Sequence, residues 1–285
     1  MSATNTINVE ELAEISTIPV VVTRAIQVLH DPKSSARDLT DLIINDQVLA
    51  GKILKVANSA FYGLPTKINN LNRAILLIGF NEIRRIITPI LLFDTYKNLT
   101  NNKYFSSKGF WCHSMAVAGA CEILAEKENR VQDIGEARIV GLLHDIGRLI
   151  VVESLGDKFE KLMKKVELGV DVMKAESAML GLDHAEIGAR ITKFWNLPRT
   201  VVNSIRFHHN PDQAGEYVLL TEMVCFADFL ANELDYRSLQ IGDVPQIPDA
   251  IKKRFITDDA EMGILLTKLE TEVERAKTFL NMIED

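Results

Sequence analysis

Cysteine is scarce in this chain, and the three that occur, Cys112, Cys121 and Cys225, form no CxxC pair. An odd, scattered set argues against a disulfide framework or a thiolate zinc site and fits reduced packing thiols. Long apolar runs are lacking too: none reaches the roughly 18 residues that a membrane helix needs. The opening MSATNTINVEELAEIS is polar and acidic, without the basic start and apolar core of a signal peptide. Positive charge is in the minority, 32 Lys and Arg against 39 Asp and Glu, for a net charge of -7. That balance argues against a broad nucleic-acid-binding face, which needs clustered basic residues, but it leaves room for a small basic pocket holding one phosphorylated ligand. Period-two alternation with hairpin turns is also missing, which argues against a sheet. The expectation is a soluble, cytoplasmic, all-α protein with no membrane and no direct nucleic-acid partner.

What is present is an ordinary globular composition, 47% hydrophobic and 25% charged over 285 residues, ample for a sizeable core. Helical periodicity predicts helices over 20–29, from about Ser35 to Ile44, and over 48–57, 71–78 and 81–92. Ser35 and Asp38 have capping-box spacing. Asn58-Ser59 reads as a helix break, with Phe61 and Tyr62 as packing residues. A polar stretch, Tyr96 to Lys108, is the expected junction. Beyond it, helices are predicted over 109–126, 134–155, 158–167, 170–180, 183–195, 198–208, 217–233 and 259–282. The expected organisation is an N-terminal helical half, 1–95, a helical domain carrying the site, 96–240, and a C-terminal helical extension, 241–285.

Of the six histidines, His30 reads as a surface residue at a helix end. The other five fall after the junction. His144-Asp145 lies inside ARIVGLLHDIGRLIVVESL, apolar around most of its circumference. A buried carboxylate there costs several kcal/mol unless it is neutralised, paired or metal-bound. Gly141 and Gly147 flank the pair and permit close helix approach. Asp228 makes the same argument in LLTEMVCFADFLANEL. His113 opens the apolar helix WCHSMAVAGACEIL, His184 follows the N-cap candidate Asp183, and His208-His209 ends a helix. Any one of these has an ordinary explanation, such as a core hydrogen bond or the negative end of a helix dipole. Five histidines and two buried aspartates on five helical segments of one half point together to a divalent-metal site. Mixed His and carboxylate donors suit iron, manganese or zinc.

The pattern His113, His144-Asp145, Asp228 resembles the HD superfamily of metal-dependent phosphohydrolases, where these positions hold one metal. His184, His208 and His209 resemble the second-metal ligands of the HD-GYP cyclic-dinucleotide phosphodiesterases. The resemblance implies two divalent ions, iron or manganese first and nickel, magnesium or zinc as alternatives, with Asp145 bridging. The N-terminal half is narrower in what it resembles. IPVVVTRAIQVLHDP, ARDLTDLIINDQVLAGKILKVANSAFYG and INNLNRAILLIGFNEIRRI look like an HDOD domain, over roughly residues 10 to 235. That implies a bundle of short helices packed on an HD-type helical domain, and a bacterial signalling role through protein partners, with a homodimer as one arrangement. Two features depart from HD-GYP. The segment after His209 reads NPDQAGEY, without a GYP triad, and Arg148 stands where Lys is usual. Gly109, one turn before His113, offers no carboxylate for a third metal. If the chain is a hydrolase acting on a cyclic dinucleotide or a phosphorylated small molecule, Asp145 and Arg148 are its expected catalytic residues.

Overall fold

The computed structural model describes residues 7–9, 11, 24–28, 34–43, 46–59, 62–96, 99, 101–129, 134–242 and 244–284. His30 and Phe61 lie outside them. The chain is all-α, and the described residues contain no strand. Its contacts divide it into two units. One takes in 1–17 and 99–276, the other 18–98 and 277–285.

The second unit carries α1 (Ala36–Ile43), α2 (Gln47–Ala57), α3 (Leu71–Ile78) and α4 (Phe80–Tyr96). The capping box predicted for α1 forms. Ser35 N–H donates to Asp38 Oδ2 at 2.8 Å, and Asp38 N–H donates to Ser35 Oγ at 3.3 Å. Asn58 does more than stop α2. Its amide donates to Leu54 O at 2.8 Å and Ile68 O at 2.7 Å, and its Oδ1 accepts from Ile68 N–H at 2.6 Å. It therefore ties the following loop back to the helix end, which makes it a structural residue. Leu39, Ile53, Ala74, Ile83, Ile87 and Leu92 form the unit's buried core.

The first unit is built around α5 (Ser107–Lys127), a helix buried on nearly every side. Helices α6 (Ile134–Leu143) and α12 (Val218–Glu233) pack on α5. Next in the chain come α7 (Ile146–Ser154), α8 (Gly156–Glu167) and α9 (Val172–Leu180). Then come α10 (His184–Phe194) and α11 (Arg199–Phe207). Helix α10 packs on α11 and on α7. Helix α13 (Asp249–Phe255), which the periodicity does not announce, precedes the long α14 (Asp259–Glu284). All three cysteines are buried thiols outside any disulfide. No described helix is long and apolar enough to cross a membrane.

Candidate metal centre

One difference from the predicted elements creates the site. The helix expected over 134–155 is two helices, α6 and α7, separated by a turn at His144-Asp145. Asp145 leaves helical geometry with φ -97° and ψ 11°. Successive side chains on one helix diverge by about 100°; the turn instead aims both into one space. Two glycines let the neighbouring helices close around it. A Cβ on Gly141 would lie 2.8 Å from Ala118 Cα of α5, and one on Gly147 would lie 2.0 Å from His184 O of α10. Both distances are inside hard-sphere contact, so only glycine fits.

His113 comes from α5, and His184 opens α10, where Asp183 caps the helix by accepting from Glu186 N–H at 2.8 Å. His208 and His209 follow α11, and Asp228 comes from α12. His113, His144, Asp145, His184, His208 and Asp228 are buried, and His209 is partly so. All seven predicted residues meet. His113 Nε2 is 3.1 Å from His144 Nε2 and 3.3 Å from Asp228 Oδ1. His184 Nε2 is 2.9 Å from His209 Nε2 and 3.4 Å from His208 Nε2. Asp145 stands between the groups and faces each with a different oxygen. Its Oδ2 lies 3.7 Å from His144 Nε2 and 3.9 Å from His113 Nε2. Its Oδ1 lies 3.2 Å from His184 Nε2 and 3.9 Å from His208 Nε2.

The outer ring of hydrogen bonds fixes the tautomers. His113, His144 and His208 each turn Nδ1 to a backbone carbonyl, Tyr236 O at 2.8 Å, Gly141 O at 2.8 Å and Ile205 O at 2.7 Å. A carbonyl only accepts, so each Nδ1 carries a proton, and a ring in its neutral form then points its Nε2 lone pair inward. His184 Nδ1 sits 2.7 Å from Glu176 Oε2, which also accepts the His184 backbone N–H at 2.9 Å. With the rings in the neutral form that ligates metal, Nε2 lone pairs face one another across about 3 Å, and Asp145 Oδ1 accepts no hydrogen bond. A cation resolves that conflict. Two ligands at ordinary His–metal bond lengths of about 2.0–2.1 Å, at right-angle to tetrahedral spacing, lie about 2.9–3.4 Å apart. The observed nitrogen separations fall in this range. Two triads, His113/His144/Asp145 and His184/His208/His209, each offer three ligand atoms mutually within 4.8 Å.

Charge separates the two groups. Burial and the facing imidazoles push His208 well below the ordinary histidine range. Burial and His184 push His209 down to about 3. Both stay neutral, as ligands must. At His144, burial is outweighed by Asp145 and Asp228, and its pKa rises. Burial disfavours the charged forms of Asp145 and Asp228 as well. Arg148, His144 and His184 hold Asp145 well below the usual carboxylate range, and His113 and His144 do the same for Asp228.

Several contributors escape sequence reasoning. Glu176 is one polar residue in VMKAESAML, and nothing local marks it as the partner of His184. Asn232, which donates to Asp228 Oδ1 at 2.8 Å, carries a usable signal: it lies one turn after a buried Asp on the same helix. Tyr236 and Ser238 join through a loop beyond α12, where no periodicity guides the eye. Arg148 reaches the centre but turns inward. Its Nη1 donates to Asp145 Oδ2 at 2.8 Å and to Ser238 Oγ at 2.6 Å. The NPDQAGEY segment forms two short 3-10 turns, Pro211–Gln213 and Gly215–Tyr217.

An all-helical bundle that gathers histidines and aspartates from five segments around an HD turn defines an HD-type protein. The chain belongs to the HDOD domain family, whose model matches residues 15–211. An uncharacterised protein of Treponema pallidum is 26% identical over 281 residues, covering 94% of this chain and 52% of that protein. The chain thus spans about half the length of that relative. Two crystal structures share the fold. A candidate signal transduction protein of Marinobacter aquaeolei superposes with a TM-score of 0.78 at 22% identity, over 98% of this chain and 62% of that one. A candidate phosphohydrolase of Shewanella amazonensis superposes with a TM-score of 0.70 at 23% identity, over 96% of each.

Proposed function

We propose that the chain is a signalling HDOD protein that holds two divalent cations and acts mainly through protein partners. The observation that carries the metal half of this reading is the convergence of Nε2 lone pairs and carboxylate oxygens into two groups sharing Asp145. His113, His144, Asp145 and Asp228 would hold one ion; His184, His208, His209 and the other oxygen of Asp145 would hold the second. Iron and manganese suit this donor set best, with nickel, magnesium and zinc also accommodated. Family membership and the short turns in place of a GYP segment support the partner-mediated half. The chain keeps the ligands while its substrate-facing segment differs from that of the phosphodiesterases. The test is capture of partners from a bacterial lysate by the wild-type chain and by Asp145→Ala and His184→Ala. The reading expects the same partner set, with occupancy altered by metal loss. Partner binding that required hydrolytic turnover would overturn it.

A second reading, a metal-dependent phosphohydrolase acting on a cyclic dinucleotide or a phosphomonoester, is favoured by one observation: Asp145 turns a different oxygen to each group. Two bound ions would acidify a water and take up charge on phosphate oxygens. Here Asp145 would position both ions, Glu176 would orient His184, and Arg148 would meet developing negative charge. A panel of cyclic dinucleotides and phosphomonoesters with iron, manganese, nickel and magnesium decides it. Turnover abolished by Asp145→Ala supports this reading, and no turnover across the panel ends it.

A further inference from the structure

Arg148 does not stand at the rim of the centre as a free anion receptor. It is only 14% exposed and lies against both groups. Besides its bonds to Asp145 and Ser238, its Nη2 is 3.3 Å from His184 Nε2. His184 donates its Nδ1–H to Glu176 Oε2, so in the neutral ring Nε2 is an acceptor and Arg148 is its donor. That single lone pair is the one His184 would offer to an ion held with His208 and His209. One lone pair has two claimants. The guanidinium is also incompletely satisfied, because its Nε–H is buried without an acceptor and Glu176 Oε1 remains 3.7 Å away.

Resting on the two-ion reading, we infer that Arg148 is an internal cation that competes with metal for the His184 group, and that a phosphoryl oxyanion relieves the competition by drawing the guanidinium away. The guanidinium bears on both groups, because its Nη1 also holds Asp145 Oδ2, the oxygen turned toward His113 and His144. What is particular to the second group is that Nη2 stands on an imidazole lone pair, that of His184, whereas the His113 group keeps Asp228 as a further carboxylate. Arg148 cannot simply leave, because a buried guanidinium stripped of its carboxylate is strongly destabilising. It needs a replacement anion, and its planar fork suits phosphate oxygens held bidentately. By linkage, an anion that tightens the second ion is itself bound more tightly when that ion is present. Arg148 would then make the centre a coincidence detector for metal and phosphoryl ligand.

The experiment is a manganese titration of the full chain, stripped of metal, followed by the paramagnetic signal of free ion, with and without inorganic phosphate. The wild type is expected to bind one ion tightly and a second at least about tenfold more weakly. Phosphate should tighten the second step by about five- to a hundredfold, the usual span of allosteric coupling. In Arg148→Met the second step should be tight without phosphate and indifferent to it. Ser238→Ala, which removes one anchor of the guanidinium and leaves every donor in place, should move the second step the same way by a smaller factor. A second step as weak in Arg148→Met as in the wild type overturns the inference. So does a phosphate effect of equal size in that variant, and so does no change in Ser238→Ala. Two equal steps in the wild type, untouched by phosphate, overturn this inference alone. Binding of no manganese at all overturns the two-ion reading with it.

Discussion

The two halves of the centre are built from the same residue types to different electrostatic ends. The group on α5, the HD turn and α12 combines two histidines with two carboxylates, and its charge raises the pKa of His144. The group on α10 and α11 packs three imidazoles together, shares one oxygen of Asp145 and sits beside Arg148. There His208 and His209 are pushed down. One half therefore keeps two carboxylates, one of them shared with Arg148, while the other is a cluster of imidazoles with the guanidinium on the Nε2 of His184. If both halves hold ions, as proposed, unequal affinity is expected without any difference in ligand count.

The substitution expected to cost most is the one that removes what the halves share. Asp145→Ala should abolish binding of both ions and leave Arg148 an uncompensated buried charge, destabilising the chain by about 3–5 kcal/mol. Metal analysis together with denaturant unfolding reads both effects. Retention of one full equivalent would show that the halves do not depend on a common carboxylate. Gly147→Ala drives a Cβ into His184 O, so α7 and α10 must separate. The expected loss of stability is about 1–3 kcal/mol or more, with the second ion weakened and the first held. Glu176→Gln keeps the shape but weakens the acceptor that orients His184. The second ion should lose about tenfold to a hundredfold in affinity, by titration calorimetry, while the first step stays put. An equal loss at both steps would erase the distinction between the halves.

The smallest effect is one of pH, measured on chelator-treated protein. The depressed His208 and His209 bind protons in the unfolded chain below the ordinary histidine pKa of 6.5 but not in the folded one. Their contribution to stability therefore falls as pH drops from about 7 to 5. His144, raised by its carboxylates, has the opposite sign: its contribution is complete below 6.5 and fades as pH rises through its higher folded value. Two groups against one gives a net loss of Tm toward pH 5, and His209→Gln should shrink that loss. A pH dependence identical to wild type would mean that His209 is not held neutral.

Part of this centre is legible because His113, His144-Asp145 and Asp228 sit in apolar stretches, where burial of a polar or charged group needs an explanation. Asp228 and His144-Asp145 announced themselves in that way, and the flanking glycines predicted the close approach that the Cβ distances bear out. The helix break between Leu143 and Ile146 was not legible. No proline or glycine stands at His144-Asp145, and the apolar pattern runs through it, so only packing against α10 reveals the turn. Glu176 and Ser238 were hidden for a related reason, since tertiary proximity joins them to His184 and Arg148. In the other unit, Asn58 shows the ordinary reading prevailing: it caps the helix end and clasps the loop that follows.

The most direct test is the metal content of the chain purified without chelators, alongside Asp228→Ala and His209→Ala. The account predicts about two equivalents of divalent transition metal in the wild type. It predicts a remaining fraction in Asp228→Ala that is sensitive to Arg148, and the retained tight ion in His209→Ala. A wild-type chain that carries no metal and takes up none on titration would contradict it.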